Sequence, residues 1–179
     1  MKESLLFLAE GFEEIEAITV IDVLRRADIP LKTVSITPCL QVKGAHGITI
    51  EADTAFETIE TDNYDYLILP GGMPGTKHLD ESEQLNKWLL AHVQNGGRVA
   101  AICAAPSVLG RLGILKGKKA TCYPGFEPAL QGADFTAAAV EVDGNVITAN
   151  GPAAALRFAL SIVASIKGES VAQQVEEAM

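Results

Sequence analysis

The chain has 179 residues and a mass of 18.9 kDa, which at roughly 100–200 residues per domain predicts a single domain over 1–179. Acidic residues outnumber basic ones 23 to 14, and the net charge of −9 argues against nucleic acid and anionic membrane surfaces as partners. With 48% hydrophobic and only 21% charged residues, the composition excludes disorder and calls for a core larger than surface helices alone require.

The first four residues lead into a short apolar run that Glu10 ends, without the longer apolar region and cleavage site of a secretory signal. The longest apolar run near the C-terminus, residues 158–166, falls well short of the roughly 20 residues of a membrane span. A cytoplasmic protein is expected. Residues 4–9 (SLLFLA) read as a strand buried on both faces. Residues 13–27 form a helix, with Ala17, Val20, Ile21 and Leu24 at helical spacing, acids in the first turn and Arg25 and Arg26 in the last. Residues 31–37 are a second strand, and 40–42 with 48–51 a hairpin around Gly44 and Gly47.

Residues 64–69 (YDYLIL) are a buried strand that stops at Pro70-Gly71-Gly72. The spacing predicts one helix over 80–95, then a strand over 98–102 that runs straight into Cys103, then a helix over 104–112. Residues 119–122 read as a strand, 140–142 and 146–149 pair around Asp143-Gly144-Asn145, and helices over 153–166 and 171–178 close the chain. This alternation predicts an α/β fold: a three-layer sandwich whose mostly parallel twisted sheet carries helices on both faces.

In such a sheet, ligands bind beyond the carboxyl ends of the strands. Three segments end there: residues 10–16, residues 70–75 and Cys103. Cys103, wedged between a buried strand and an immediate helix with Ala104 and Ala105 next, has the setting of a nucleophile elbow and is expected to stand exposed. Helix N-terminal N–H groups would favour its thiolate, lower its pKa below about 8.5 and make it oxidise before Cys39 and Cys122.

On the first helix Glu16 falls within the apolar arc, between Val23 and Ala27, so its carboxyl is expected to be buried and protonated. Glu13 and Glu14 are explained as first-turn acids. The glycines of Pro70-Gly71-Gly72-Met73-Pro74-Gly75 let backbone approach a ligand, and their N–H groups can form an oxyanion site. The three cysteines show no CxxC spacing, and His46, His78 and His92 lack metal spacing, so no disulfide framework, metal site or cofactor is expected.

Residues 9–16 (AEGFEEIE), 22–27 (DVLRRA), 69–72 (LPGG), 100–106 (AAICAAP) and 150–152 (NGP) resemble the ThiJ/PfpI superfamily, in the branch of DJ-one and its bacterial relatives, and the likeness covers almost the whole chain. The resemblance implies a flavodoxin-like, class I glutamine amidotransferase-like fold and a homodimer. By it Cys103 matches the reactive cysteine, Glu16 its protonated hydrogen-bonding partner, and Gly71, Gly72 and Ala104 the oxyanion-like site. Two departures stand out. Tyr123 occupies the position before Pro124 where the family often has histidine, and Ala104 stands where the protease-like branch has a histidine after the cysteine. His46, in the hairpin, is the one histidine considered as a substitute.

The function implied is cysteine-dependent, cofactor-free chemistry on reactive carbonyls or glycated substrates, of glyoxalase or deglycase type. A non-enzymatic redox sensor or redox-regulated chaperone is the alternative. An intracellular cysteine peptidase is disfavoured by the missing histidine.

Overall fold

The computed structural model describes residues 1–60 and 63–179. Strand β1 (Ser4–Leu8) leads into helix α1 (Glu14–Arg26), followed by β2 (Leu31–Ser35), the hairpin β3 (Gln41–Lys43) and β4 (Thr49–Glu51), and the short β5 (Thr54–Ala55). Strand β6 (Tyr66–Leu69), helices α2 (Gly75–Glu81) and α3 (Glu83–Gln94), strand β7 (Arg98–Ile102) and helix α4 (Pro106–Arg111) come next. Strands β8 (Lys119–Ala120), β9 (Asp134–Phe135), β10 (Val140–Asp143) and β11 (Val146–Ala149) precede helices α5 (Ala155–Lys167) and α6 (Glu169–Glu177).

Seven strands form the main sheet in the order β10-β11-β7-β6-β1-β2-β5, parallel throughout except for the β10–β11 hairpin. Its central strands are apolar on both sides because both faces are covered. Leu6, Leu8, Ile68 and Ile102 pack with Val20 and Leu24 of α1 and with Phe158 and Ile162 of α5. Their neighbours Leu5, Phe7, Leu67 and Val99 point the other way, onto Leu85 and Leu89 of α3 and Val108 of α4. The strand period of two thus builds the three layers expected from the sequence.

Three expectations are corrected. The helix expected over 80–95 is two helices, because Ser82 leaves helical geometry and its hydroxyl accepts the Leu85 N–H at 3.4 Å, capping α3. The strand expected over 119–122 stops at Ala120 and pairs in parallel with β9, outside the main sheet, while Thr121 N–H turns to Thr148 Oγ1 at 3.0 Å. The helix expected from 104 begins at Pro106, since residues 103–105 form the turn out of β7. No helix among the described residues is long and apolar enough to cross a membrane.

The order of strands positions the site. β7, β6 and β1 lie side by side at the centre of the sheet, so the loops leaving their carboxyl ends meet. Gly75 N–H donates to Gly11 O at 3.2 Å and Glu13 N–H to Gly71 O at 2.9 Å, locking the loop after β6 onto the start of α1.

Candidate active site

Cys103 occupies the first position after β7 with φ +65°, the left-handed region that a residue bearing a Cβ adopts at a cost of about 1–3 kcal/mol. Its backbone is held on both sides: the N–H donates to Ala149 O at 2.9 Å, and the carbonyl accepts from Tyr123 N–H at 2.8 Å. The sharp turn expected from the sequence is present. The exposed thiol is not, for Cys103 is only 8% exposed.

Glycine is what permits this enclosure. A Cβ added to Gly71 would stand 2.6 Å from Cys103 Cβ and 2.6 Å from Glu16 Oε2. Gly72 adopts φ +92°, and a side chain there would meet the Glu13 backbone nitrogen at 2.4 Å.

Glu16 is fully buried, as its place on the apolar arc of α1 predicts. Its Oε2 accepts the Gly71 N–H at 2.8 Å. Oε1 accepts no N–H or hydroxyl among the described residues, which leaves that oxygen for a proton of its own or for the Cys103 thiol. The helix start is fixed by Glu13, whose carboxylate accepts the Glu16 N–H at 2.8 Å as the N-cap of α1.

Burial drives Glu16 from 4.5 up to about 7, against the thiol and the Gly71 N–H, which favour its charged form; the Glu13 charge adds to the rise. Burial also pushes Cys103 up to about 12, followed by the charge and hydrogen bond of Glu16, while the N–H groups of Ala104 and Gly72 act on the sulfur in the opposite direction. The expectation of a depressed cysteine pKa is therefore corrected: it took the thiol as exposed and Glu16 as a neutral donor, whereas burial of the sulfur is the largest effect and the Glu16 charge adds to it. The two groups titrate as a pair, with Glu16 the first to release its proton and the thiol held protonated beside it.

The remaining candidates fall around this pair. Tyr123 is exposed, holds the Cys103 carbonyl through its N–H, and lays its ring over Gly151, where an added Cβ would lie 3.1 Å from Cδ2. Residues 150–152 thus border the site from within the same chain. His46 is not brought to the sulfur: its Nδ1 lies 2.9 Å from Glu14 Oε2 and its ring is open to solvent. His78 reaches Glu10 O and His92 reaches Arg98 O, so each imidazole is engaged away from Cys103.

Cys39 is exposed and Cys122 buried, the latter pushed up to about 11 by burial and the Glu127 charge; all three thiols are free. Sequence reasoning missed the buried carboxylate of Glu14, which gathers the His46 N–H at 2.7 Å and the Ile48 N–H at 3.4 Å and so fastens the β3–β4 hairpin to α1. Its one signal was an excess of acids, three within residues 13–16, where a helix start needs a single cap.

The sequence model of the DJ-1/PfpI family matches residues 2–165. Protein dj-1beta of Drosophila melanogaster is 37% identical over 180 residues, spanning 99% of this chain and 96% of the relative. A glutathione-independent glyoxalase of Caenorhabditis elegans is 34% identical over 93% of this chain and 90% of its own length. A deglycase of Pyrococcus abyssi is 33% identical over 83% of this chain and 89% of its own. Among solved structures, oxidized Toxoplasma gondii DJ-1 superposes with a TM-score of 0.95 at 32% identity, covering 99% of this chain and 97% of that one.

Proposed function

The chain belongs to the DJ-1/PfpI family, and from that premise we propose that it is a cofactor-free enzyme whose Cys103 adds to a reactive carbonyl, either a small 2-oxoaldehyde such as methylglyoxal or the adduct it leaves on another molecule. The observation that carries this reading is the pair itself: a fully buried carboxyl, held up to about 7, beside a thiol whose charged form the N–H groups of Ala104 and Gly72 favour. The names of the C. elegans and P. abyssi relatives support the substrate class.

Near neutrality Glu16 is partly ionised and takes the thiol proton as the sulfur attacks the aldehyde carbon. The S–C bond forms, the carbonyl π pair moves onto oxygen, and the Glu16 proton then neutralises it to a hemithioacetal; the Gly72 and Ala104 N–H groups stand beside the developing charge. Glu16 next removes the proton from the same carbon while the hydroxyl proton passes to the ketone oxygen, and return of the Glu16 proton to the neighbouring carbon leaves a lactoyl thioester. Aldehyde carbon is oxidised and ketone carbon reduced within one molecule, so no external electron carrier is used. Water cleaves the thioester to lactate and returns the thiol.

Turnover of methylglyoxal to lactate by the purified protein tests this. Cys103→Ser should abolish it and Glu16→Gln lower it by about 10²–10⁴-fold. Undiminished turnover in Cys103→Ser would overturn the proposal.

A second reading, a redox-responsive protein without turnover, draws on the N–H groups at the sulfur, which would accept sulfinate oxygens, and on the oxidized state of the T. gondii relative. The peptidase reading lacks a histidine at the thiol. We further propose a cytoplasmic homodimer; three unpaired cysteines suit a reducing compartment.

A further inference from the structure

Glu13, Glu14 and His46 form a cluster of their own beside the catalytic pair. One ligand atom from each lies within 4.8 Å of the other two. Nδ1 of His46 stands 2.9 Å from Glu14 Oε2 and 3.8 Å from Glu13 Oε1. Two ligands on a tetrahedral zinc-class ion, at its usual bond lengths, are about 3.3 Å apart, a value that these two separations bracket.

Each carboxylate is anchored by one oxygen and keeps the other for the cluster. Glu13 Oε2 is fixed by the Glu16 N–H, and Glu14 Oε1 by the N–H groups of His46 and Ile48. The Glu13 side chain is 9% exposed, yet its Oε1 is beyond hydrogen-bond distance of the imidazole toward which it is turned. Glu13 Oε1, Glu14 Oε2 and His46 Nδ1 thus present two carboxylate oxygens and one ring nitrogen to a common point. The imidazole is 71% exposed, giving a cation access from solvent.

We propose that Glu13, Glu14 and His46 bind a divalent first-row transition cation of the zinc class, with a fourth position open to water. Two carboxylate oxygens and one imidazole nitrogen are the donors such an ion takes, whereas calcium and magnesium prefer all-oxygen sets. The cation takes the place of the proton shared between His46 and Glu14, and it clamps the β3–β4 hairpin to the start of α1. Neither Cys103 nor Glu16 is a ligand, and cation binding does not depend on the thiol.

Cobalt(II) as a spectroscopic probe and calorimetric titration with zinc(II) test the proposal on the whole chain. Wild type and Cys103→Ser should each bind one equivalent with visible d–d absorption. His46→Ala, a substitution at an exposed ring, should lose more than the roughly tenfold to hundredfold in affinity that an outer-shell change costs. Glu13→Gln, which keeps an acceptor for the α1 cap, should weaken binding in the same direction, with far-ultraviolet circular dichroism reporting the fold of both. Failure of wild type to bind either ion at millimolar concentration, binding unchanged in His46→Ala, or binding lost in Cys103→Ser would each overturn it.

Discussion

Glu16 Oε2 accepts the Gly71 N–H at 2.8 Å, and through this bond a carboxyl on α1 is fastened to the loop that leaves β6, with Cys103 Cβ packed against the same glycine. The bond helps to hold in place an acid whose charged form burial disfavours.

That cost appears as a dependence of stability on pH. Glu16 moves from 4.5 to about 7 on folding, so between those values the folded chain binds its proton more tightly than the unfolded chain. Its contribution is fully present below about 4.5 and is lost as pH rises through about 7. The span corresponds to about 3 kcal/mol. Urea unfolding should therefore show Glu16→Gln close to wild type near about pH 5 and more stable than wild type near about pH 8. Equal differences at the two pH values would contradict the burial of an ionisable group.

Gly71→Ala inserts a methyl between Cys103 Cβ and Glu16 Oε2, each 2.6 Å away. The clash should cost about 1–3 kcal/mol and cut the reactivity of Cys103 at the same time. Denaturant titration and thiol alkylation measured on one sample check both; a loss of stability with full thiol reactivity would show that the two atoms move apart freely.

Much of this was legible in the sequence. The run into Cys103 gave away the turn because a fully apolar strand meets a helix with no loop between, and Glu16 was legible because a charge within an apolar arc has few places to go. What stayed hidden were features that depend on partners distant in sequence. Glu14 and His46 are separated by 32 positions, and only the fold joins them. The pKa of Cys103 was misjudged because its burial is set by the loops that leave β1 and β6, which close over a turn that the local sequence reads as exposed. Ser82 split a helix that periodicity alone reads as continuous, since its hydroxyl competes for a backbone N–H.

Peroxide in modest excess should add oxygen to Cys103 before Cys39 or Cys122, because Glu16 stands beside Cys103 to take the thiol proton as the sulfur attacks and the N–H groups of Gly72 and Ala104 favour an anionic sulfur product. Glu16→Leu should erase the lead of Cys103. Peptide mass spectrometry gives the order, and early oxygen on Cys122 would contradict the assignment of the anion site.

Ile15 and Ile18 of α1 are 56% and 41% exposed, leaving two branched apolar side chains on one helix in water. Light scattering should report a species of twice the 18.9 kDa chain mass, and Ile15→Glu with Ile18→Glu should yield a folded monomer. A wild-type monomer at micromolar concentration would count against the homodimer.

The central claim is that Glu16 serves as the base for the Cys103 thiol, and the pH profile of Cys103 alkylation tests it most directly. With Cys39 and Cys122 replaced by serine, the iodoacetamide rate of the otherwise native protein should climb with a midpoint near 7, where Glu16 ionises. In Glu16→Gln that step should vanish and the rate near neutrality should fall. Identical profiles for the two proteins, or faster alkylation of Glu16→Gln near neutrality, would contradict it.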